Sequence, residues 1–537
     1  MRPIPRPGRS NLLRTALAAG SGVLGVFAFP PFGLWPLALL SVAGLTVATR
    51  GRRCREAAWL GFCFGAGLFA PMLHWTATYV GAAPWLILVF SQTWYTALMA
   101  AGLPLVQRLR AAPVWVAALW VAEELVRDRL PFGGFPWGRW AFSQAESPLR
   151  WFASLGGAPL VTFAVAVAGA ALAGVRWQPG LARKAVAVAV PVLVVAAGAL
   201  LAWPLTPDTS HDRTVIVAAI QGDVPDRGLE FNARRRQVLD NHVRQTMKLA
   251  AAIKAGTAPR PDIVLWPENS SDIDPTDNAD ANAEIQATAD AVGVPILVGA
   301  LLDGPGPRHV MNAGLVWEPS TAAHPGAGQT YVKRHPVPFA EYIPLRSLAR
   351  RVSSKVNLVQ DDMVAGRGNG LLTQTPFPIG DVICFEVAYD GLVNSSVRAG
   401  AQLLVIQTNN ATFGHSGETY QQLAMAQLRA VEHARTVVQV STSGKSAIVD
   451  PTGRITAESG ALFTADTLLQ KVTLSDSTTL ATRIGAADEW FLAALALVGI
   501  ALAAGPRRWR SRRTAGSAAG RTGPAEQIAE PAEQAVG

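Results

Sequence analysis

Hydrophobic residues follow two different patterns along the chain. In the N-terminal part they form runs close to the roughly 20 residues that cross a bilayer as a helix, and one more such run follows near residue 490. Proline and glycine occur inside several runs, which membrane helices tolerate. The pattern predicts about eight transmembrane helices, at 12–29, 33–49, 57–78, 84–106, 112–126, 157–175, 185–204 and 488–505.

Between the seventh and eighth runs the hydrophobic segments shorten to strand length. Segments of helical length, at 229–255, 281–292 and 418–434, separate several of them. Strands that alternate with helices indicate a layered α/β domain, in which catalytic groups gather at strand ends. The predicted buried strands are 214–221, 262–268, 295–301, 314–319, 381–387, 402–409, 436–443 and 446–451.

The two patterns divide the chain into four segments. Residues 1–204 are predicted to form a membrane domain with seven spans, residues 205–487 an exterior α/β domain, and residues 488–505 the eighth span. The basic segment 506–537 has the Ala-, Gly- and Glu-rich composition of a disordered cytoplasmic tail. The first run follows several arginines, as in a signal peptide, but the spans that come directly after it favour an uncleaved anchor.

The distribution of charge predicts the orientation. The chain has a net charge of +9, yet acidic residues outnumber basic ones within 205–487, so the positive excess flanks the apolar runs. The basic loops at 50–56, 107–110 and 176–184 fall on the N-terminal side of the membrane, which is therefore cytoplasmic. The arginines of loop 127–156 break this trend. The asymmetry places 205–487 outside the cytoplasm and explains the basic excess without a nucleic-acid partner.

Metal-binding and disulfide patterns are missing from the sequence. Its three cysteines, Cys54, Cys63 and Cys384, are too few and too scattered for a disulfide framework or a zinc cluster. The eight histidines show no ligand spacing. The sequence therefore predicts neither a metal centre nor another cofactor.

Three reactive side chains stand at predicted strand ends. Glu268 follows a proline that ends its strand, Lys333 lies in an extended segment that two prolines keep from becoming a helix, and Cys384 ends the run GDVIC. Each alone has an ordinary explanation, as a capping acid, a solvated lysine or a packed core cysteine. Their shared place at strand ends of one α/β domain favours a catalytic site.

Other segments allow two interpretations. The loop 130–142, LPFGGFPWGRWAF, fits an interfacial aromatic belt or a lipid-facing platform beside an active site. The segment 411–420 has the small residues of a mobile lid around Phe413. Asn409 and Asn410 either line the pocket or cap a turn. Residues at helical spacing that are predicted to form structural ion pairs are Arg429, Glu432 and Arg435.

The order Glu, Lys, Cys resembles that of the nitrilase superfamily of carbon–nitrogen hydrolases. Seven apolar runs, an exterior nitrilase-like domain and a closing run resemble, more narrowly, the apolipoprotein N-acyltransferase family. The resemblance covers about residues 15–505 and implies an α-β-β-α sandwich for the exterior domain. The motifs that carry it are GFPW (134–137), QGDVP (221–225), WPENS (266–270), KRHPVPFAEYIP (333–344), ICFE (383–386) and TNNATFG (408–414).

The resemblance implies a role for each matching residue. Cys384 would be the nucleophile, Glu268 the general base, and Lys333 the stabiliser of the thiolate and of the oxyanion. Glu341 and Glu386 match acidic positions that surround the lysine and tune the site. For Glu386, a plain salt bridge on the domain surface is an equal alternative.

Further matching positions concern the oxyanion and the substrate. Phe385 stands where the family often has tyrosine, so the ring is kept and the hydroxyl is lost; its backbone N–H is a candidate oxyanion donor. Phe231 is the nearest match to an aromatic residue near the lipid entrance. Asn410 and Phe413 are the other candidate substrate-binding residues.

The resemblance implies transfer of a fatty acyl chain from a membrane phospholipid, through a cysteine thioester, to the α-amine of the N-terminal diacylglyceryl-cysteine of lipoproteins. The reaction would take place at the outer face of the cytoplasmic membrane. A membrane-tethered amidase with the same three residues, and water as acceptor, is the first alternative. A transporter is the second; it predicts charges inside the spans, where Glu123 and Glu124 lie only near the end of one.

Overall fold

The computed structural model describes residues 9–207, 212–224 and 235–505. Phe231 and the predicted tail 506–537 lie outside the described residues. The helices are α1 (Arg9–Val26), α2 (Pro36–Thr49), α3 (Cys54–Met72), α4 (Ala77–Val80), α5 (Ala82–Val106), α6 (Ala112–Arg127), α7 (Ala153–Ala173), α8 (Leu181–Leu205), α9 (Arg235–Lys254), α10 (Ala279–Val292), α11 (Arg346–Val352), α12 (Asp390–Arg398), α13 (Glu418–His433), α14 (Leu480–Ile484) and α15 (Ala487–Ala504).

Each of the eight apolar runs predicted from the sequence overlaps a helix. Among the described residues, four helical segments are long and apolar enough to cross a membrane: α5, Pro148–Arg176 (which contains α7), α8 and α15. Helix α2 is apolar but shorter. The structure therefore supports a membrane domain of several apolar helices, and the number of eight spans stays a prediction.

Close helix packing in the membrane domain depends on small residues. On α3, a Cβ added to Gly61 would collide with the side chain of Ala100 and lie 2.5 Å from the carbonyl oxygen of Thr96, both on α5. A Cβ added to Gly65, one turn further along α3, would collide in the same way with the side chain of Thr96. Lipid gives no hydrophobic driving force between helices. Van der Waals contact at such close approach therefore stabilises their packing.

The α/β domain, which was predicted to lie outside the cytoplasm, contains two sheets. The first has the strand order β13-β1-β2-β3-β4-β5, with β6 beside β4, and the second has the order β12-β11-β10-β9-β8-β7. The centre of each sheet is parallel, through β1-β2-β3 and through β8-β9-β10. The strands are β1 (Thr214–Gln221), β2 (Ile263–Leu265), β3 (Ile296–Asp303), β4 (His309–Glu318), β5 (Gly326–Val332), β6 (Asp362–Met363), β7 (Leu371–Leu372), β8 (Ile379–Ile383), β9 (Leu403–Thr408), β10 (Val437–Ser441), β11 (Ala447–Val449), β12 (Ile455–Glu458) and β13 (Asp466–Thr473).

The predicted strand 381–387 is wrong in its second half. Strand β8 ends at Ile383, and Cys384–Ala388 form a short 3-10 helix, which we call the 384–388 turn. Cys384 has a φ of +56°, in the left-handed region that a strand does not use, so the ladder ends before it. By contrast, β1 has the predicted bounds.

The layers follow the α-β-β-α order that the family resemblance implies. Val217 and Leu265 of the first sheet and Val405 and Val440 of the second belong to one core between the sheets. Helices α9 and α10 cover the outer face of the first sheet. On the outer face of the second sheet, α12 and α13 share a core with the membrane helices, so this sheet and the 384–388 turn lie toward the membrane domain.

The tight α3–α5 contact predicts that Gly61→Leu destabilises the membrane domain by about 1–3 kcal/mol, because overpacking a close contact forces backbone shifts. Thermal unfolding of the purified protein in detergent, followed by tryptophan fluorescence, measures this. Gly20→Leu on α1 is the matched control, since a Cβ there meets no atom within 4 Å. Equal transition temperatures for the two variants would contradict the packing argument.

Candidate active site

Glu268 lies three residues beyond the end of β2 and is 3% exposed. Strand β3 passes so close that a Cβ on Gly299 would lie 2.8 Å from the Cα of Glu268. The first carboxylate oxygen of Glu268 accepts hydrogen bonds from Asn312 Nδ2 at 2.7 Å and from Lys333 Nζ at 3.0 Å. The second accepts from the backbone N–H of Asn409 at 2.9 Å. The carboxylate is thus oriented from three sides.

Lys333 directly follows β5 and is fully buried, so a solvated lysine is excluded. Its ammonium donates to Glu268 and, at 2.5 Å, to Glu341 Oε1. Burial alone lowers the pKa of Lys333, but the two carboxylates outweigh it and raise the pKa well above its ordinary value. The ammonium is therefore a permanent positive charge in the site.

Cys384 follows β8 and begins the 384–388 turn in a left-handed conformation, which is strained for a residue with a side chain. Gln422 Nε2 lies 3.8 Å from its sulfur. Burial raises the pKa of the thiol, and Glu268 raises it further, whereas Lys333 lowers it. The sum is a raised pKa, so the resting group is a thiol. Lys333 acts in the predicted direction but is outweighed, and a base must remove the proton.

The two supporting carboxylates have different positions. Glu341 contacts Lys333 as the family resemblance implies, and its second oxygen accepts from the Val337 N–H at 2.9 Å. Burial raises the pKa of Glu341. Glu386 is 1% exposed, which rules out a surface salt bridge. Its hydrogen bonds instead come from Tyr331 Oη (2.9 and 3.0 Å) and from the backbone N–H groups of Ile383 (2.9 Å), Arg334 (2.7 Å) and His335 (3.1 Å).

Aromatic side chains join the site to the membrane domain. The buried ring of Phe385 stacks on Trp137, with centroids 5.7 Å apart and planes at 3°, and on Phe135 at 5.5 Å. Both partners belong to the loop 130–142. Phe413 meets Trp75 edge to face at 4.9 Å. The loop therefore lies against the 384–388 turn, as its interpretation as a platform beside the site requires.

The two asparagines after β9 differ in their contacts. The amide of Asn410 is buried and donates to Glu418 at 2.8 Å and to Gln422 at 2.9 Å, while its oxygen accepts from Ser441. Asn409 caps a turn through its side-chain oxygen, which accepts from the Ala411 N–H. The side chain of Asn410 thus serves internal contacts, and a substrate contact for it stays a prediction.

A cavity of about 230 Å³ opens between the membrane domain and the segment that follows Lys333. The loop 130–142 forms one wall, and the chain from Arg334 to Pro336 forms another. Its lining residues are Phe132, Gly133, Arg334, His335, Pro336, Tyr342, Met363 and Ala365.

Sequence reasoning missed two residues of the site, Asn312 and Tyr331. Both lie inside strands and reach the site through the pairing of β4 with β5, which sets Ala313 opposite Val332. A polar residue in an otherwise apolar strand, as at Asn312 in VMNAGLVW, was the available signal.

Comparison with known proteins identifies two regions. Residues 21–171 match the N-terminal domain of apolipoprotein N-acyltransferases, and residues 217–482 match the carbon–nitrogen hydrolase family. A solved amidase of the nitrilase superfamily from Nesterenkonia AN1 is similar with a TM-score of 0.37 and 18% identity, over 53% of this chain and 97% of that one.

Two relatives are similar over most of the chain. A protein of Mycolicibacterium smegmatis named apolipoprotein N-acyltransferase is 40% identical over 459 residues, which are 81% of this chain and 76% of that protein. One of Pseudomonas putida with the same name is 32% identical over 85% of this chain and 90% of that protein. The chain therefore belongs to the apolipoprotein N-acyltransferase family.

Proposed function

We propose that this protein is an N-acyltransferase that moves a fatty acyl chain from a membrane phospholipid to the α-amine of the N-terminal diacylglyceryl-cysteine of lipoproteins. Family membership supports this reaction over hydrolysis by an amidase. The observation that carries the mechanism is the buried Glu268–Lys333 pair, whose two charges shift the pKa of the Cys384 thiol in opposite directions. The phospholipid donor, the lipoprotein acceptor and the individual residue roles are part of the proposal.

The first half-reaction forms the thioester. Glu268 takes the thiol proton of Cys384 as the sulfur attacks the ester carbonyl carbon of the phospholipid. Negative charge develops on the carbonyl oxygen, where Lys333 and the backbone N–H of Phe385 stabilise it. The carbon–oxygen ester bond then breaks, and the proton held by Glu268 passes to the departing lysophospholipid. A resting thiol with a raised pKa is the form that needs such a base.

The second half-reaction transfers the acyl group. The α-amine of the acceptor attacks the thioester carbonyl, and the same two donors stabilise the oxyanion. Glu268 accepts the proton of the amine, the carbon–sulfur bond breaks, and the proton returns to the sulfur of Cys384. One base thus serves both half-reactions, because Glu268 has given up its proton at the end of each.

The membrane domain gives this chemistry its location. Both substrates are held in the bilayer, and the 384–388 turn lies on the side of the exterior domain that packs on the membrane helices. The charge asymmetry of the loops supports an exterior position at the cytoplasmic membrane.

The mechanism predicts an acyl thioester on Cys384. Incubation with phospholipid vesicles in the absence of acceptor should leave one acyl group on the peptide that contains Cys384, measured by mass spectrometry and removed by neutral hydroxylamine. Adding a diacylglyceryl-cysteine peptide should discharge it. Cys384→Ser is the control, in which the hydroxylamine-sensitive group should disappear. Acylation confined to Cys54 or Cys63 would overturn the assignment of the nucleophile.

The roles of base and oxyanion partner predict different responses to pH. Glu268→Gln should abolish lysophospholipid release near neutral pH and regain part of it as the pH rises. The reason is that the thiolate then forms without a base, and the carboxylate that raises the pKa of Cys384 is gone. Lys333→Ala should lose about 100- to 1000-fold near neutral pH, as for removal of one oxyanion donor.

The measurement is the initial rate of lysophospholipid release between about pH 6 and pH 10, a window that spans the ordinary thiol pKa. Removing Lys333 also removes the charge that lowers the pKa of Cys384, so rescue in that variant should be smaller. Recovery of Lys333→Ala with rising pH, while Glu268→Gln stays inactive, would show that the two roles are assigned to the wrong residues.

A further inference from the structure

Three charged side chains connect loop 130–142 to the 384–388 turn. Arg139, 2% exposed, donates from Nη1 to both carboxylate oxygens of Asp390 at 2.9 Å each. Arg429, fully buried on α13, donates from Nη2 to the same carboxylate at 2.6 Å. Burial raises the pKa of Asp390, but the two arginines outweigh it and hold the pKa below its ordinary value. Asp390 is therefore ionised between two cations.

Arg429 also reaches the last residues of the turn. Its Nε donates to the carbonyl oxygen of Val387 at 2.9 Å, and its Nη2 donates to that of Ala388 at 3.0 Å. Carbonyls at the end of a helix have no partner within the helix and need donors from elsewhere. Arg429 supplies them here, so its position determines where the turn ends.

The other end of this connection is fixed on the membrane domain. The Nε of Arg139 lies 3.3 Å from Glu124 and 3.2 Å from Asp128, at the end of α6. Arg127 of the same helix donates to the carbonyl oxygens of Phe135 and Trp137, at 3.0 and 2.6 Å, which holds the loop itself. Arg139 therefore presents a rigid cation, rather than a mobile surface charge, to the exterior domain.

We infer that Arg139, Asp390 and Arg429 are positioning residues through which the membrane domain sets the conformation of the nucleophile. A side chain in the left-handed region persists only where its surroundings over-determine it. Glu386 binds the N–H of Ile383 at the start of the turn, and Arg429 binds the carbonyls at its end. The inference rests on the proposed acyl transfer at Cys384.

The test uses the full-length protein in mixed phosphatidylethanolamine and phosphatidylglycerol vesicles, with the variant Asp390→Asn. This variant keeps the shape of the side chain and removes the negative charge that Arg139 and Arg429 share. The kcat for lysophospholipid release should fall about 10- to 100-fold, the size of effect expected when a reacting group is slightly misplaced. The KM for phospholipid should stay within about 2-fold, because no group that contacts the lipid has changed.

Alkylation of Cys384 by iodoacetamide supplies a second readout. The native surroundings raise the pKa of the thiol, so a displaced turn should return it toward its ordinary value. Alkylation near neutral pH should become faster in Asp390→Asn while acyl transfer becomes slower. Peptide mass spectrometry follows Cys384 separately from the other two cysteines. Because alkylation needs no lipid, it still reports on the turn if the parent protein releases no lysophospholipid, a result that would refute the proposed function alone.

Glu489→Gln is the matched control. Glu489 pairs with Arg129 at 2.5 Å in the same junction and, among the described residues, makes no hydrogen bond to the 384–388 turn. Its kcat should change less than about 2-fold. Arg139→Lys keeps the charge but cannot contact Asp390 through Nη1 and Glu124 and Asp128 through Nε at the same time. It should therefore give an intermediate loss even if Asp390→Asn fails to insert. Equal losses in Asp390→Asn and Glu489→Gln, or a kcat for Arg139→Lys equal to that of the parent, would overturn the inference.

Discussion

The buried ammonium of Lys333 constrains the rest of the active site. Removing a charge from water costs on the order of several kcal/mol per ion, and the cost is recovered only with well-placed partners. Glu268 and Glu341 supply them at 3.0 and 2.5 Å. Since the three groups come from separate segments, the ends of β2 and β5 and the chain after β5 must meet at one point.

Cys384, the proposed nucleophile, reaches this point from the other sheet. Glu268 and Lys333 follow strands of the first sheet, whereas Cys384 follows β8 of the second. The apolar core between the sheets therefore sets the distance between Glu268 and the thiol of Cys384. On the far side of the second sheet, α13 and loop 130–142 connect the 384–388 turn to the membrane helices. The site thus depends on two interfaces, one inside the sandwich and one at the membrane domain.

The sequence predicted the elements with a strong local signal. Apolar runs placed Glu268 and Cys384 near strand ends, two prolines marked the extended segment of Lys333, and β1 has its predicted bounds. The half-exposed strands β5, β12 and β13 were missed because they carry no apolar run. The hydrophobic pattern also does not show where the hydrogen bonds between neighbouring strands end. The predicted end of β8 was therefore placed too far along the chain.

The contacts of a side chain could be predicted from the sequence where they involve a single partner, and not where several backbone groups take part. Glu341 meets Lys333 as its position in the motif implies. Glu386, two residues after the nucleophile, was expected near the same lysine. Its charge interacts with that lysine. It also accepts from the N–H groups of Arg334 and Ile383, because the 3-10 geometry of the turn directs its side chain back toward Ile383. Such a contact depends on where the strand ends, which the motif alone does not contain.

Because the pKa of Cys384 is raised, its reactivity depends both on the orientation of Glu268 and on the packing of the 384–388 turn. A site that held a resting thiolate would favour attack on any electrophile, whereas a thiol must first lose its proton, in the proposed mechanism to Glu268. Glu268 can serve only if its carboxylate is oriented toward the sulfur, and Asn312, Lys333 and the N–H of Asn409 orient it. The thiol of Cys384 can then react only where Glu268 and Lys333 lie beside it. Because the thiol reaches that point through a strained turn, the packing of that turn on the membrane domain becomes part of the chemistry.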